Sequence, residues 1–547
     1  MHGSQACPEC MCWQQEANEA TQISLTAALG SLTYGYAAAV LGNVSAPAHL
    51  AQMHSVDKDQ QMLICLGNQT LEKAPFYAYM KLDPEGAGLS HADTIIAVWN
   101  TILYAGGIIA CMACPVIGDR YGRKKVIGLG AVTSVIGAAL QAGSVNPAMM
   151  IIARLIVGAG MGILLATVPL YQAEIAPPSN RGFIVGIHAS LIGFGSMISN
   201  WIGVAFYYVP GSAGWRVPLA LQVIFPLALV CVLVFIPESP RWLYMHDRAD
   251  EAEKVLIALH KRADDPTHAF ARTEIQIIRS QIDYERANRV PVLEAFKKRS
   301  LQKRFALGFL AMWDTQCSGL IVVLAYQAVI YESLGYSPFM AGILGSVWCV
   351  LNGTGNFLGG VIGDYVGRKR QIATGLAMLL VLLVLLCVTT KLYAGTDNKS
   401  GKTAAAVFTF LMIAVYATGV DCPSLVYSSE LYPGEWRALG VATSLSAVLW
   451  GCLIFTAAAP AALANIGALY YVVFIVLTFF QLLLVIFFFP DTKGFTLEQM
   501  SAVFGDAVVD MHGNVEKAED FMKEDHDVDH MEISEDIRIE QEAEQKV

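Results

Sequence analysis

The sequence predicts an all-α membrane protein with twelve transmembrane helices, split six and six by a charged cytosolic segment. Three observations lead there. First, mean hydropathy is +0.49, with 55% hydrophobic and 15% charged residues, against about 45–50% and about 25% in an ordinary soluble domain. That balance excludes a nucleic-acid-binding protein, a disordered chain and a normal soluble enzyme. Second, the charges are segregated, leaving long charge-free runs. Third, two charged motifs recur in the same order in both halves.

A bilayer core takes about 20 apolar residues per helix. Residues 22–50, 94–118, 126–153, 155–173, 182–215 and 217–237 contain no Asp, Glu, Lys or Arg and supply spans 1–6. Residues 333–363 and 371–390 do the same for spans 8 and 9, and 438–490 is long enough for spans 11 and 12, with a turn near Asn465 and Gly467. Spans 7 (305–331) and 10 (403–429) are apolar runs holding one acid each, Asp314 and Asp421. The expected organisation is an N-terminal tail (1–21), a first bundle (22–237), a linker (238–304), a second bundle (305–490) and an acidic tail (491–547).

Lys and Arg set the orientation. The loops after spans 2 and 8 carry Arg120, Arg123, Lys124, Lys125 and Arg368, Lys369, Arg370, and the linker carries fourteen more. The opposite loops carry only Lys58, Lys73, Lys81, Arg216, Lys391, Lys399 and Lys402. Both termini and the linker are therefore expected in the cytosol of a multi-pass protein of the plasma membrane. The net charge of −10 is local: residues 515–547 hold 13 Asp/Glu and 4 Lys/Arg. Such a tail has little to bury and is expected to stay disordered. Within the long first outer loop, Asn68-Gln69-Thr70 is a glycosylation acceptor pattern on the outer side.

Twelve Cys do not make a disulfide framework, since eight lie inside apolar runs and Cys65 is the only one in an outer loop. Cys7, Cys10 and Cys12 cluster near the N-terminus and suit metal binding or palmitoylation, but three ligands fall short of a closed zinc site. Residues 1–20 carry no Lys or Arg, hence no positive region of a signal peptide.

The repeat is specific. Gly118-Asp119-Arg120-Tyr121-Gly122-Arg123-Lys124 after span 2 returns as Gly363-Asp364-Tyr365-Val366-Gly367-Arg368-Lys369 after span 8. Glu174 precedes Arg181 by seven positions at the end of span 4, and Glu430 precedes Arg437 by seven at the end of span 10. A static inside-positive signal explains the Arg and Lys alone. The matching Asp, Gly and Glu argue for an internal duplication, with charge pairs that hold the inner helix ends together in one state and release them in another. The gating set is Asp119, Arg123, Glu174 and Arg181, with Asp364, Arg368, Glu430 and Arg437 as counterparts.

On these motifs the chain resembles the major facilitator superfamily, in particular its sugar porter family, in a fungal style. Arg154-x3-Gly158-x-Gly160, Pro169-x-Tyr171 and Glu174-x6-Arg181 look like the span 4 signature. Pro237–Leu243 is similar to the motif after span 6, and Pro490–Gly494 resembles the closing motif, with Asp491 where Glu is usual. The resemblance covers roughly 22–500. It implies two six-helix bundles around a central cavity open alternately to each side, substrate near the midplane, and a cytosolic linker of short amphipathic helices. In one of these, Asp247–Arg262, Ala249, Ala252, Leu256 and Leu259 lie near one face.

The chain departs from the pattern that this resemblance implies for hexoses. The Gln of span 5 is Ala189, Gln-Gln of span 7 is Thr315-Gln316, the span 7 Asn is Ile321 and the span 10 Trp is Leu425, while Asn352 of span 8 remains. Candidate substrate contacts are Gln316, Asn352, Thr315, His188 and Tyr326. The aromatics Trp313, Tyr326 and Tyr427 rank below the polar residues, since aromatics at helical spacing are more often packing, and a mid-span histidine is more often structural than functional. Proton-coupled members carry an Asp in span 1, where this chain has Ala37 after Gly35-Tyr36. Intramembrane acids are rare and expensive, hence functional by default, so Asp314 and Asp421 are the proton-coupling candidates. Asp314 ranks first, because it directly precedes the segment with Gln316.

The favoured function is secondary active or facilitative transport of a sugar or sugar-like small molecule by alternating access, with proton symport as the coupled form. The expected partners are that substrate, protons and the lipid bilayer; the protein is expected to be a monomer without nucleic acid, cofactor or metal. Loss of sugar-type polar residues favours the alternative of an exporter of a small organic metabolite. A non-transporting nutrient sensor is the alternative of another class, but the tail is short for that role. An enzyme is least favoured, since the soluble segments show no P-loop, nucleophile elbow or metal-ligand cluster.

Overall fold

The computed structural model describes residues 23–45 (except 25), 76, 79–81, 89–176, 181–259, 269–287, 296–393, 396, 398–492, 500–505, 508–509 and 515–516. Asn68, Cys65, the cluster of Cys7, Cys10 and Cys12, and the acidic stretch beyond 516 lie outside the described residues.

Twelve membrane-crossing segments follow one another among the described residues. Span 1 is Leu29–Ser45, span 2 Leu89–Tyr121, span 3 Arg123–Ala142, span 4 Pro147–Ile175 and span 5 Arg181–Phe206. Span 6 runs over 213–235, interrupted between Leu221 and Ile224. Span 7 is Arg299–Cys317 plus Leu320–Ser333, span 8 Pro338–Val366 and span 9 Arg368–Tyr393. Span 10 runs over 399–430, span 11 is Arg437–Ile466 and span 12 Tyr470–Phe488. Nine of these are single described stretches long and apolar enough to cross a membrane. The other three are the 17-residue span 1, the broken span 7 and span 8, which is rich in Gly and Asn.

Local chemistry fixes the helix starts. Asn146, Ser337 and Asn398 cap spans 4, 8 and 10 by accepting a backbone N–H three residues on, and Pro147 and Pro338 occupy the first helical position of their spans. The turns after spans 2 and 8 each hinge on a glycine with positive φ, Gly122 at 99° and Gly367 at 91°. The sequence repeat is thus a repeat of backbone conformation.

Packing follows the same duplication. In the first bundle span 1 lies on span 5, and spans 2 and 3 lie on span 4; in the second, span 7 lies on span 11, and spans 8 and 9 lie on span 10. The two bundles meet where span 5 runs along span 8 and span 2 along span 11. These two interfaces exchange when the halves are exchanged, as duplicated bundles around a central axis require. Gly193 of span 5 approaches the backbone of Gly353 so closely that a Cβ would sit 2.6 Å from it, the small-residue contact that lets membrane helices pack without side chains between them.

The linker forms helices Pro240–Met245, Ala249–Leu259 and Ala269–Ala287. Ala252, Leu256 and Leu259 are buried as expected, whereas Ala249 is exposed because it sits at the free first turn. Trp242 donates from Nε1 to the Asp119 carbonyl (3.0 Å), docking the linker on the loop after span 2. The ends of the even-numbered spans share this linker face. Beyond span 12, Val508–Val509 and Val515–Glu516 pair as a minimal antiparallel ladder, so the beginning of the acidic tail is more structured than its composition predicts.

Two spans are irregular. Span 7 breaks at Gly319, whose φ of 72° is left-handed and whose added Cβ would meet the Phe474 ring of span 12 at 2.5 Å. Span 10 widens into a π-helical turn at Ala417–Asp421, a feature that concentrates at functional sites. Gly319→Ala is expected to destabilise the protein by roughly 1–2 kcal/mol from the backbone alone, read as a lower melting temperature of the purified full chain in detergent. An unchanged melting temperature would mean that the break at Gly319 is not held by its backbone.

Candidate functional site

Two charge clusters sit on the linker face. Arg123 reaches Asp119 from Nη1 (2.7 Å) and Glu174 from Nη2 (3.2 Å), and its side chain is 5% exposed against 3% for Glu174. Glu238 of the linker motif accepts from the backbone N–H groups of Arg123 (2.9 Å), Lys124 (3.1 Å) and Ser239 (3.0 Å). Its carboxylate thereby caps span 3 and fills the space that a side chain at Gly122 would need. In the second half Arg368 reaches Asp364 (2.8 Å) and Glu430 (3.2 Å) from Nη2 and donates to the Gly363 carbonyl from Nη1 (2.9 Å). Thr492 donates to the other oxygen of Glu430 (2.9 Å), tying the segment after span 12 to this cluster. Six of the eight gating candidates therefore meet in two matching clusters. Arg437 is buried at the start of span 11, and the side chain of Arg181 lies outside the described residues.

At the bundle interface a second group of polar side chains converges. On span 8, Asn356 donates from Nδ2 to the Asn352 carbonyl (3.2 Å), to Asn352 Oδ1 (3.0 Å) and to Asp421 Oδ2 on the π-helical turn (3.1 Å). The Tyr416 hydroxyl, one turn before Asp421, is within hydrogen-bonding reach of both Asp421 and Thr315. Thr315 Oγ1 accepts from Gln316 Nε2 (3.1 Å), and Gln316 Oε1 accepts from the Cys452 thiol of span 11 (3.5 Å). From the first bundle Tyr34 of span 1 lies within electrostatic range of Asp421 and Cys452, and Tyr104 of span 2 is within hydrogen-bonding reach of Cys452. Spans 1, 2, 7, 8, 10 and 11 thus contribute to one polar cluster in an otherwise apolar wall.

The remaining candidates lie elsewhere. Asp314 is fully buried and neither carboxylate oxygen has a partner among the described residues. It shares a helix face with Cys317, which turns to Thr478 and Gln481 of span 12, away from the cluster. His188 is buried and bonded through Nδ1 to Ser31 Oγ of span 1 (2.7 Å). Ala189, the neighbouring position, packs in the apolar core shared by the two bundles. The side chain of Tyr326 lies outside the described residues. Tyr427 is fully buried and stacks on Phe489 at 5.1 Å, as a packing aromatic does.

Sequence reasoning missed Asn356, Tyr416, Tyr34, Tyr104 and Cys452. Asn356 had a signal, a second asparagine four residues after Asn352 and so on the same helix face. Arg154 of the span 4 signature is fully buried and donates to the Ala37 carbonyl (3.2 Å) and Asn100 Oδ1 (3.3 Å). No acid pairs with it among the described residues, and the carbonyl it uses belongs to the position where the resemblance implied an acid.

Two pseudo-symmetric bundles, paired charge clusters on one face and a polar cluster where the bundles meet define a carrier that works by alternating access. The family model described as sugar (and other) transporter matches residues 23–504, and the chain belongs to that family. It is 33% identical over 424 residues to the MFS-type transporter criB of Aspergillus cristatus, covering 76% of this chain and 85% of that one. It is 27% identical over 442 residues to the sugar transporter STL1 of Saccharomyces cerevisiae, covering 77% and 74%. Its fold matches the proton:xylose symporter XylE bound to 6-bromo-6-deoxy-D-glucose with a TM-score of 0.74 at 22% identity, covering 89% of this chain and 100% of that one. The protein is therefore a multi-pass membrane transporter of the major facilitator type that carries a small molecule, and not an enzyme.

Removing one partner of a buried ion pair costs about 3–5 kcal/mol, and here the loss falls on the state in which the linker face is closed. Arg123→Ala and Arg368→Ala are each expected to lower turnover by at least about tenfold while apparent affinity changes by less than about threefold. Initial uptake rates at matched surface level check this, and normal rates in both variants would remove the clusters from the gate.

Proposed function

We propose that the protein carries a sugar or sugar-like hydroxylated small molecule across the plasma membrane as a monomer, with both termini and the linker in the cytosol. The observation that carries this reading is the polar cluster at the bundle interface. Gln316 of span 7 and Asn352 of span 8 are the candidate contacts in it that carry an amide, and an amide offers a hydroxyl both a donor and an acceptor. Each is close to fully buried, at 8% and 6% exposure, so a bound hydroxyl replaces water at a group that has few other partners. The asymmetry of lysine and arginine between the two faces supports the orientation.

Ala189, Ile321 and Leu425 leave fewer hydrogen-bonding groups than the resemblance implied for hexoses, and Tyr34, Tyr104 and Tyr416 give the site an aromatic wall. That composition favours a substrate with fewer hydroxyls or a larger apolar part, and keeps export of a small organic metabolite as the second reading. A purely sensory role would not require both charge clusters to be complete.

Uptake and release of labelled D-glucose, D-xylose, glycerol and a panel of small organic acids, in cells lacking their own carriers, tests the assignment. Movement of at least one hydroxylated compound above the empty-vector control is expected, and the absence of any would overturn it. Removing a hydrogen-bonding partner from a buried pair costs about 1–3 kcal/mol. Gln316→Ala and Asn352→Ala are therefore each expected to weaken apparent affinity by roughly 5- to 150-fold. Unchanged affinity in both would place the site elsewhere.

A further inference from the structure

We propose that Asp421 is the group that takes up and releases a transported proton, and that Asn356 conveys its protonation state to the substrate contact Asn352. The proposal rests on the transporter reading above. It is carried by the hydrogen-bond inventory around one amide. Asn356 is fully buried, and its Nδ2 donates to Asp421 Oδ2 (3.1 Å) and to Asn352 Oδ1 (3.0 Å). Its acceptor, Oδ1, is buried and has no donor among the described residues.

An ionised Asp421 uses the arrangement as it stands, accepting from Asn356 Nδ2 and from the nearby Tyr416 hydroxyl. A protonated Asp421 gains an O–H, and the orphaned Asn356 Oδ1, on the same amide whose Nδ2 already bonds Asp421, is free to accept it. The carboxyl O–H then donates to Oδ1 while Nδ2 donates to the carboxyl carbonyl, the ring-shaped pairing of an acid with a primary amide. Both protonation states are thus bonded, which a buried group that must alternate between them requires. Closing that ring turns the Asn356 amide toward Asp421 and away from Asn352, so gain of a proton is felt at the substrate contact as a change in its hydrogen bond.

The surroundings suit exchange. Asp421 ends the π-helical turn of span 10, where the Thr418 carbonyl is freed from the helix ladder and accepts from Gln371 Nε2 of span 9 (2.7 Å). A turn of this kind can tighten or widen by one residue as the bundles move. Asp421 is half-buried while Asn356 is fully buried, so the carboxylate is the outermost member of the chain. The titratable groups facing it are Tyr34 of span 1, Tyr416 on its own span, Cys422 beside it and Cys452 of span 11. No lysine or arginine forms an ion pair with it among the described residues, so nothing fixes it in the ionised state. Asp314 lacks these features: neither of its carboxylate oxygens has a hydrogen-bond partner among the described residues.

The test uses the full chain in proteoliposomes with an imposed pH gradient and labelled D-xylose and D-glucose as probes. The wild type is expected to accumulate a probe in response to the gradient and to lose accumulation with a protonophore. Asp421→Asn is expected to reduce accumulation at least tenfold while retaining exchange of labelled for unlabelled probe; Asp314→Asn is expected to keep accumulation. A second measurement needs no substrate: pH-dependent infrared difference spectra of the purified protein. A protonated-carboxyl band should be present in wild type and in Asp314→Asn, absent in Asp421→Asn, and shifted in Asp421→Glu and in Asn356→Leu. Accumulation by Asp421→Asn at the wild-type level, or a spectrum unchanged by the substitution, would overturn the proposal. If neither probe moves in wild type, it is the sugar reading that fails, and the infrared spectra still decide for or against Asp421.

Discussion

The guanidinium of Arg123, enclosed between Asp119 and Glu174, and its counterpart Arg368 between Asp364 and Glu430 set the terms for the linker face. An ion at the edge of a bilayer is stable only where its partners hold it. Each arginine begins an odd-numbered span, and each glutamate ends span 4 or span 10. A pair therefore forms only when three helix ends are within reach of one another. The rest of the face is built around that requirement. Gly122 turns the chain with no side chain in the way, Glu238 uses the space to cap span 3, and Thr492 holds the second oxygen of Glu430. A helix movement that separates these ends breaks several bonds at once.

Much of this was legible in the sequence, for a physical reason. The bilayer excludes charge over about 20 residues, so the spans appear as charge-free runs; the turn near Gly467 followed from a run, 438–490, too long for one span, and the linker helices from the family resemblance. Six of the eight residues in the charge clusters followed from the repeat, because pairing needs both partners in each half. The interior was less legible. A helix buried in a bundle is apolar on every side, so periodicity does not say which face meets the axis. The sequence marks Asp314 and Asp421 alike, as single acids in apolar runs. Only their partners separate them, and those depend on the break at Gly319 and the π-helical turn, neither of which has a reliable local signature. Tyr34, Tyr104 and Cys452 were hidden for a related reason: aromatic and thiol side chains are ordinary core residues, and become polar lining only when neighbouring helices bring a carboxylate to them.

The duplication governs packing more strictly than it governs chemistry. Span 1 on span 5 answers span 7 on span 11, and the two inter-bundle contacts are each other's counterparts. That equivalence gives the two bundles matching surfaces on either side of the axis, so each inter-bundle contact has its counterpart on the opposite flank. The tight approach of Gly193 to Gly353 adds a constraint. Helices in backbone contact pivot more readily than they slide, because sliding would drive neighbouring side chains into the opposing backbone.

The charges buried at depth do not obey the duplication. The first bundle encloses Arg154, bonded to the neutral Ala37 carbonyl and to Asn100, while the second encloses Asp314 and Asp421. A cation held by neutral acceptors raises the potential around it, and in a medium of low dielectric that influence extends across the bundle interface. Tyr104 interacts with Arg154 on one side and with Cys452 and Tyr34 on the other, and Tyr34 in turn faces Asp421. The polar cluster therefore lies between an enclosed guanidinium in one bundle and the carboxyl group of Asp421 in the other. Where Asp421 is ionised, rocking that separates the bundles also separates opposite charges; where it is protonated, that cost is absent. The charge clusters of the linker face match between the halves, whereas the groups enclosed at depth do not, so it is the latter that distinguish one bundle from the other.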